Sequence, residues 1–326
     1  MTEAASSATL GYQWTRRTSR WRTARAHIVR FVVKKRLGAI GLVIVTFFSI
    51  TAVFAPILSR YDPDQIFEGP NPNYKSNPSI ADLAKDPNVG SPVIVEKHFP
   101  PSSEHWFGTD NFGRDIYARV IYGSRLSLIV GFGASVIAVG VGLFLGAVSA
   151  YYKGWVDLVL QRFVDALQAF PALVLLLLLV QIQEPSVRNT VLALGVIGIP
   201  IATRLVRSAV LTVGEADYVT AARALGATDL RIMLRHVLPN ISAVLLVAFS
   251  IGIGAYILFE ATISFLNVGP RNVVSWGKMV QEGRAAIDLH PWLTVFAGGS
   301  IALLVAGFNF LGDALRDVLD PRLGRV

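Results

Sequence analysis

Six apolar segments recur along the chain, and polar stretches separate them. A helix needs about 20 mostly apolar residues to cross the roughly 30 Å hydrocarbon core of a bilayer. The fourth segment is the weakest, because it has only 15 residues and contains Pro200. In chain order the segments are 37–59, 126–152, 166–183, 189–203, 241–259 and 291–312. The pattern predicts an all-α polytopic membrane protein with six transmembrane helices, which leaves both termini on one side.

Charged residues are scarce for a protein of this length. They make up 16% of the 326 residues, hydrophobic residues make up 53%, and the mean hydropathy is +0.52. Soluble globular proteins average about 25% charged residues, so the composition excludes a disordered chain and disfavours a soluble enzyme. The chain contains no cysteine, which excludes disulfides and Cys-ligated metals.

Positive charge is concentrated before the first apolar segment. Residues 1–36 contain nine Lys and Arg against one acid, Glu3, and carry the whole net charge of +8. Lys and Arg beside a span favour the cytoplasmic side, so we expect both termini in the cytoplasm and no role in nucleic-acid binding. The same rule places the Arg-rich stretch 204–236 inside and the acidic stretch 60–104 outside. Residues 16–36 mix aromatic and basic side chains, which fits either a helix on the inner membrane surface or a basic tail.

The residues between the first two segments, 60–125, form a polar insert followed by a short segment before the next span. Eight prolines occur between positions 63 and 101, and apolar residues are too few to predict an independent core. A docking face for an external partner and a decorated linker are equally open. Asp110, Arg114 and Asp115 could suggest an acid–base site, but beside Gly108 and Gly113 they are expected to fix a turn and an amphipathic surface helix.

The stretch between the fourth and fifth segments has the pattern of two short helices joined by a sharp bend. Ala221 and Ala222 give the first helix a face of small residues, and Gly226 lies where the chain turns without a Cβ. Leu230 begins an apolar face on the second helix, and Pro239 is expected to end that helix before the fifth span. Such a pair offers a surface that another protein can approach closely; an amphipathic interfacial loop is the simpler alternative.

This stretch resembles the EAA loop of binding-protein-dependent ABC importer permeases. The family pattern is E-A-A, a Gly four residues after the second Ala, and then I-x-L-P. The matching residues are Ala221, Ala222, Gly226, Leu238 and Pro239. Thr220 stands where the family usually has Glu, which removes a carboxylate from that position.

Four further runs resemble signatures of the dipeptide/oligopeptide/nickel group of this family. They are 106–131, 260–269, 275–279 and 308–323. The resemblance implies the second permease of such an importer, with one leading helix ahead of a five-helix type I core. The implied divisions are 1–36 (basic cytoplasmic segment), 37–59 (first helix), 60–125 (insert), 126–312 (core, with the coupling loop at 215–240) and 313–326 (cytoplasmic tail).

The resemblance also implies partners and a location. A second permease would complete the pathway, one or two cytoplasmic ATPases would bind ATP and Mg²⁺, and an external binding protein would deliver di- or oligopeptides. The chain itself would hold no cofactor and lie in the lipid bilayer of a bacterial or archaeal inner membrane. The residues assigned to ATPase coupling are Thr220, Ala221, Ala222, Arg223, Gly226, Leu230, Arg235 and Pro239. Arg223 and Arg235 fit either partner carboxylates or the positive-inside rule alone. Import of nickel or another small solute, and a secondary transporter or channel, are the alternatives.

Glu260 is an acid beside an apolar segment with no loop to explain it. It lies 19 residues after position 241, roughly 29 Å along a helix at about 1.5 Å per residue, and therefore near the outer boundary. Carboxylates in membranes usually mark a pathway or a partner. We expect a cap on an outer gate, an ion pair with Arg114 or Arg125, or an interfacial anchor.

No motif in the sequence points to an enzyme. A G-x-x-x-x-G-K-[ST] phosphate loop and an H-E-x-x-H metal motif are both missing, and the five histidines do not fall at metal-ligand spacing within a span. An intramembrane serine protease built on Ser135 would need a histidine base, and His290 at an outer boundary is the sole candidate. The sequence therefore predicts a transport subunit without catalytic or metal-binding residues.

Overall fold

A computed structural model describes residues 36–71 and 73–319. The helices are α1 (Arg36–Val53), α2 (Ala55–Leu58), α3 (Ile80–Lys85), α4 (Ile116–Tyr152), α5 (Gly154–Gln168), α6 (Ala172–Ile182), α7 (Val187–Gly214), α8 (Asp217–Ala224), α9 (Asp229–Ile232), α10 (Leu238–Phe265), α11 (Trp276–Gly283) and α12 (Trp292–Leu319). A π-helical turn, Met233–Val237, joins α9 to α10, and a 3-10 turn, Arg284–Ala286, follows α11. Strands β1 (Glu68–Pro70) and β2 (Val93–Val95) pair antiparallel. The predicted surface helix or tail at 16–36 falls almost entirely outside the described residues.

Five helical paths within the described residues are long and apolar enough to cross a membrane: α1, α4, α7, α9 through α10, and α12. A sixth span exists if α5 and α6 count as one, because these two helices meet at 85°. The predicted six spans hold in that form, and the weak fourth segment lies in the 28-residue helix α7. The third segment, 166–183, begins in the last turn of α5 and continues through α6; the break falls at Pro171, which cannot continue a helix from the preceding turn.

Helix α4 begins ten residues before the predicted start of the core at position 126. Its first turn is capped by Asp115, whose carboxylate accepts a hydrogen bond of 2.7 Å from the amide of Ala118. The last part of the predicted insert is therefore the first part of a 37-residue helix. Hydropathy missed this boundary because Arg119 and Arg125 interrupt the apolar run.

Helices α4 and α7 run parallel and in close contact. Gly133 faces Val191 near one end of the pair, and Gly146 faces Val206 near the other. Parallel neighbours need a crossover connection, and the bent α5–α6 pair supplies it. We call the end of the bundle that carries residues 60–115 the insert end, and the opposite end, which carries α8 and α9, the loop end.

The insert is a small ordered module tied to the bundle. The rings of Tyr61 and Phe67 lie 4.7 Å apart, and His105 stacks edge-on to Phe67 at 4.6 Å, so a minimal aromatic core exists where none was expected. Helix α3 starts with a capping box, and the Lys75 ammonium beside Asp82 lowers the pKa of that carboxyl to about 2. This core was not predicted because Phe67 and His105 lie 38 residues apart along the chain, and a contact between such distant residues leaves no local pattern.

Trp276 is the centre of the core at the insert end. Its side chain is fully buried, its indole Nε1 donates a 2.8 Å hydrogen bond to the carbonyl of Val120, and its ring lies 5.4 Å from that of Phe48. Helix α1 packs along α12 over its length, and a Cβ at Gly41 would lie 2.6 Å from the carbonyl oxygen of Gly307. The first and last spans are therefore direct neighbours.

Candidate functional site

Helices α8 and α9, the helix pair, form the bent unit that the sequence predicted. Gly226 has a φ of +80°, the left-handed region that favours glycine. The amide of Ala227 reaches back to the carbonyl of Ala222 at 3.1 Å and closes the end of α8. Atoms of the described residues leave open space around the position of a Gly226 Cβ, so the bend depends on backbone conformation and not on a close contact.

The inner side of the helix pair is packed onto the bundle. Val219 of α8, Ile232 of α9 and Val237 of the π turn are at most 2% exposed, and they lie in one cluster with Val206 and Val210 of α7. The pair is consequently a fixed projection and not a loose loop. Val219 and Ile232 were not predicted as anchors, because each lies among other residues of similar character, such as Tyr218 and Met233, and no local pattern distinguishes the buried one.

The outer side of the helix pair is apolar and cationic. Leu225 is 89% exposed, Leu230 is 70% exposed and Leu234 is 54% exposed. Arg223 and Arg235 are exposed and form no ion pair with any residue that the structure describes. Exposed leucines grouped in this way mark a protein interaction site more often than ordinary surface. Among the residues assigned to coupling, Ala222 is half-buried and the exposed ones are Thr220, Ala221, Arg223, Gly226, Leu230, Arg235 and Pro239.

Pro239 does not end the second helix as predicted. The helical path runs without a break from Asp229 to Phe265. Residues Met233–Val237 wind into a wider π turn, and Pro239 lies in the first turn of α10. A proline inside a helical path removes one intrahelical hydrogen bond, and the π turn directly before Pro239 is where the helix widens. The fifth span is therefore rigidly continuous with α9.

An apolar cavity of about 1180 Å³ lies between α4, the α5–α6 bend, α7 and α10. Its wall at the bend is made by Phe170 and Pro171, and α10 lines it from Asn240 to Phe259. Polar groups on the wall are few; they include Gln168, Asn240, Tyr256 and Arg316. A wall of this kind accommodates varied solutes and offers little for strict selection.

Glu260 lies inside the bundle, not at its surface. Its side chain is fully buried, and its Oε1 accepts hydrogen bonds from the hydroxyls of Ser264 at 2.7 Å and Ser275 at 2.9 Å. Its Oε2 has no hydrogen-bond partner among the described residues. Ser275 is the residue before α11, so Glu260 fastens α11 to the insert end of α10.

The predicted ion pair of Glu260 with Arg114 or Arg125 is wrong. The Arg114 guanidinium binds Asp110 at 2.7 Å and Glu282 at 2.8 Å. The Nε of Arg125 donates to the carbonyl of Ala52 at 2.6 Å. Both arginines bind other oxygen acceptors, and the hydroxyls of Ser264 and Ser275 are the partners of the Glu260 carboxyl among the described residues. The role of Glu260 as a cap on an outer gate stays a prediction.

Two models of known protein families match this chain. The family model described as "binding-protein-dependent transport system inner membrane component" matches residues 138–325. The chain belongs to this family. A second model, the N-terminal transmembrane domain of oligopeptide transport permease C, matches residues 19–78. The protein is thus a multi-pass membrane permease component. The two matches cover both the core and the leading helix α1.

Curated relatives align with the permease over two thirds of its length or more. The dipeptide transport system permease protein DppC of Alkalihalophilus pseudofirmus is 39% identical over 94% of this chain and 91% of its own. The oligopeptide transport system permease protein OppC of Bacillus subtilis is 33% identical over 94% and 90%. The glutathione transport system permease protein GsiD of Pectobacterium atrosepticum is 39% identical over 68% and 74%.

A solved structure shares the fold of the permease. The inward-facing MetNI methionine ABC transporter contains a chain that superimposes with a TM-score of 0.55 at 18% identity, over 63% of this chain and 97% of that one. At this identity the likeness concerns the fold alone. The fold is accordingly that of an ABC importer permease.

Proposed function

We propose that this chain forms, together with a second permease, the translocation pathway of an ABC importer for di- or oligopeptides. The exposed helix pair carries the proposal. It projects leucines from the loop end, together with arginines that have no ion-pair partner in the described part of the chain, while Val219 and Ile232 fix it to α7. A rigid projection of this kind can transmit a partner's movement, whereas a flexible loop would absorb it.

The partner at the loop end is a cytoplasmic ATPase, of which one or two serve the complex and bind ATP and Mg²⁺. Leu225 and Leu230 would enter an apolar groove of the ATPase, and Arg223 and Arg235 would meet carboxylates at its rim. This arrangement puts the loop end and both termini in the cytoplasm, in agreement with the positive charge of residues 1–36. The insert end then faces an external substrate-binding protein.

The cavity supports peptides as the transported class. Its wall is apolar with few polar groups, so it can pass side chains of different character. Selection would then rest with the external binding protein. Relatives named for dipeptide, oligopeptide and glutathione transport favour short peptides over nickel or another small solute.

Native mass spectrometry of the tagged permease, gently extracted from its own membranes, tests the assembly. We expect a complex with a second permease of similar size and with cytoplasmic ATPase subunits. A lone chain or a homo-oligomer in several detergents would contradict the proposal and favour a secondary transporter or channel. Reconstituted complex should then take up labelled di- or oligopeptides in the presence of its binding protein and ATP; uptake of Ni²⁺ without peptide uptake would reject the peptide assignment.

A further inference from the structure

Helix α5 joins the cavity wall to the loop end but is weakly held by apolar packing. Its last residue, Gln168, lines the cavity next to the bend at Phe170 and Pro171. Of its fifteen residues only Val164 is fully buried. Four of its other apolar side chains are more than half exposed: Trp155, Leu158, Val159 and Phe163. Apolar contacts therefore hold α5 against the bundle only in part, and its polar contacts contribute to its position.

Two ion pairs fasten α5 to α7. The Arg207 guanidinium binds both carboxylate oxygens of Asp157, from Nε at 2.7 Å and from Nη2 at 2.6 Å. Arg204 binds Asp165 at 2.5 Å. A two-point guanidinium–carboxylate contact fixes orientation as well as distance, so the Asp157–Arg207 pair is the stronger constraint. Both of its members are partly shielded from solvent, whereas Asp165 and Arg204 are about half exposed.

The Asp157 carboxylate is also tied to the end of α4. It accepts a hydrogen bond from the buried hydroxyl of Ser149, and the side-chain amide of Gln161 donates to the same hydroxyl at 2.9 Å. Three helices therefore meet at one carboxylate. Replacing that carboxylate by a neutral group would loosen α5 at this junction.

The same part of α7 carries the helix pair on its other side. Val206 and Val210 of α7 lie in one cluster with Val219 and Ile232 of the helix pair. Arg207 lies between the two valines in the sequence, and its side chain binds Asp157 of α5. Residue 207 is only seven positions before the end of α7, about 11 Å at 1.5 Å per residue. A displacement of the helix pair is thus applied to α7 at the level where α5 is attached.

We propose that the Asp157–Arg207 and Asp165–Arg204 ion pairs form a strut that carries movement of the helix pair into the cavity wall at the α5–α6 bend. The inference rests on the proposed function, because it assigns the internal connection through which ATPase movement reaches the pathway. The residues of the strut are positioning residues: Asp157 and Asp165 lie on the helix that moves the wall, and Arg204 and Arg207 lie on the helix that the coupling surface moves.

The Asp157→Asn variant in the assembled, reconstituted complex tests the strut. The measurement is the number of peptides taken up per ATP hydrolysed, which a purely structural role would not change in surviving complex. We expect this ratio to fall by about fivefold or more, the lower end of ordinary coupling between sites. The exchange Asp157→Arg with Arg207→Asp should restore at least part of the ratio. The matched control is Arg188→Gln, an exposed arginine of α7 at the insert end, which should leave the ratio unchanged.

A cross-link provides an independent test if Asp157→Asn fails to assemble. The chain contains no cysteine, so Asp165→Cys with Arg204→Cys introduces its sole thiols. Joining them with a short bis-maleimide should raise the uptake-per-ATP ratio above that of the unlinked double variant. Loss of transport on cross-linking would show that α5 and α7 must separate, and would overturn the strut. An unchanged ratio in Asp157→Asn would overturn it as well. Failure of the proposed function is distinct, because the wild-type complex itself would then show no ATP-dependent peptide uptake.

Discussion

Gly226 and Glu260 illustrate how single residues set the geometry of the two ends of the molecule. Gly226 bends the helix pair by its left-handed backbone alone, with free space around it. Glu260 acts through its side chain, as the acceptor that holds Ser264 and Ser275 together inside the bundle. Position 226 is therefore sensitive to residues that disfavour a left-handed backbone, and position 260 is sensitive to the loss of the hydrogen-bond acceptor.

Replacing Gly226 by valine should uncouple transport. A left-handed conformation costs an L-residue about 1–2 kcal/mol, and a β-branched residue suffers most. We expect Gly226→Val to insert into membranes but to lose ATP-driven uptake or ATPase assembly. Gly226→Asn is the matched control, because asparagine tolerates this conformation. Full transport by the valine variant would contradict the account of the bend.

Removing the carboxyl of Glu260 should destabilise the insert end. Glu260→Ala leaves two buried hydroxyls without their acceptor, at a cost of about 1–3 kcal/mol for each unsatisfied group, whereas Glu260→Gln keeps one acceptor oxygen. We expect the alanine variant to unfold at a clearly lower temperature in detergent, with glutamine in between. If Glu260 also caps an outer gate, Glu260→Gln will change the basal ATPase activity of the assembled complex. An unchanged ATPase rate would mean that Glu260 has a structural role only.

At the scale of elements, the backbones of α4 and α7 lie in close contact at two glycines of α4. A Cβ at Gly142 would lie 2.9 Å from the backbone nitrogen of Thr203, and one at Gly146 would lie 2.6 Å from the carbonyl oxygen of the same residue. Small residues allow helices to approach in this way in membranes. Gly140, two positions away on the same helix, has open space around it.

Alanine substitutions at Gly142 and Gly140 should distinguish the effect of close packing on stability from the effect of helix propensity. Gly142→Ala overpacks the α4–α7 contact, and we expect a loss of about 1–3 kcal/mol in the free energy of unfolding. Gly140→Ala gains helix propensity, up to about 1 kcal/mol, and should be neutral or stabilising. The measurement is thermal unfolding of both purified variants. Equal effects of the two substitutions would reject close packing as the reason for the glycine at 142.

Hydropathy and motif spacing predicted the number of spans, the helix pair and its bend, because each of these depends on local sequence. They did not predict the 85° bend at Pro171, because the hydropathy of a segment reports how apolar it is and not the angle between its helices. They also misplaced the start of α4, where polar Arg119 is buried by contact with the insert. The partners of Glu260 were missed because Ser275 lies on a separate helix start, and such contacts between distant residues leave no periodic pattern.

For the whole molecule, the insert and the bundle act as one body at the insert end. Arg119 donates to the carbonyl of Pro63 at 3.0 Å and binds Asp64 at 2.9 Å, and Arg114 joins the insert to Glu282 of α11. A binding protein that docks on the insert would therefore contact a platform connected to α11 and, through Trp276, to the core. The strut gives the loop end a comparable connection.

Breaking the Arg114–Glu282 contact should release the insert from the bundle. Removing one partner of a largely buried charged hydrogen bond costs about 1.5–3 kcal/mol. We expect Arg114→Ala to be cut faster by added protease within residues 60–115, while the spans stay intact. Lys75→Ala, which breaks an exposed ion pair inside the insert, is the control and should be cut at nearly the wild-type rate. Equal cleavage of the two variants would argue against the attachment.

The contact between α1 and α12 has a consequence for biosynthesis. Of the described helices, the ribosome makes α1 first and α12 last, so the face of α1 that ends up beside Gly307 meets other surroundings while more than 200 residues are added. During that interval α1 has α4 as its neighbour, through the hydrogen bond of 2.6 Å from Arg125 to the carbonyl of Ala52. A polypeptide released before position 292 would lack Gly307, and the surface of α1 around Gly41 would stay exposed to lipid.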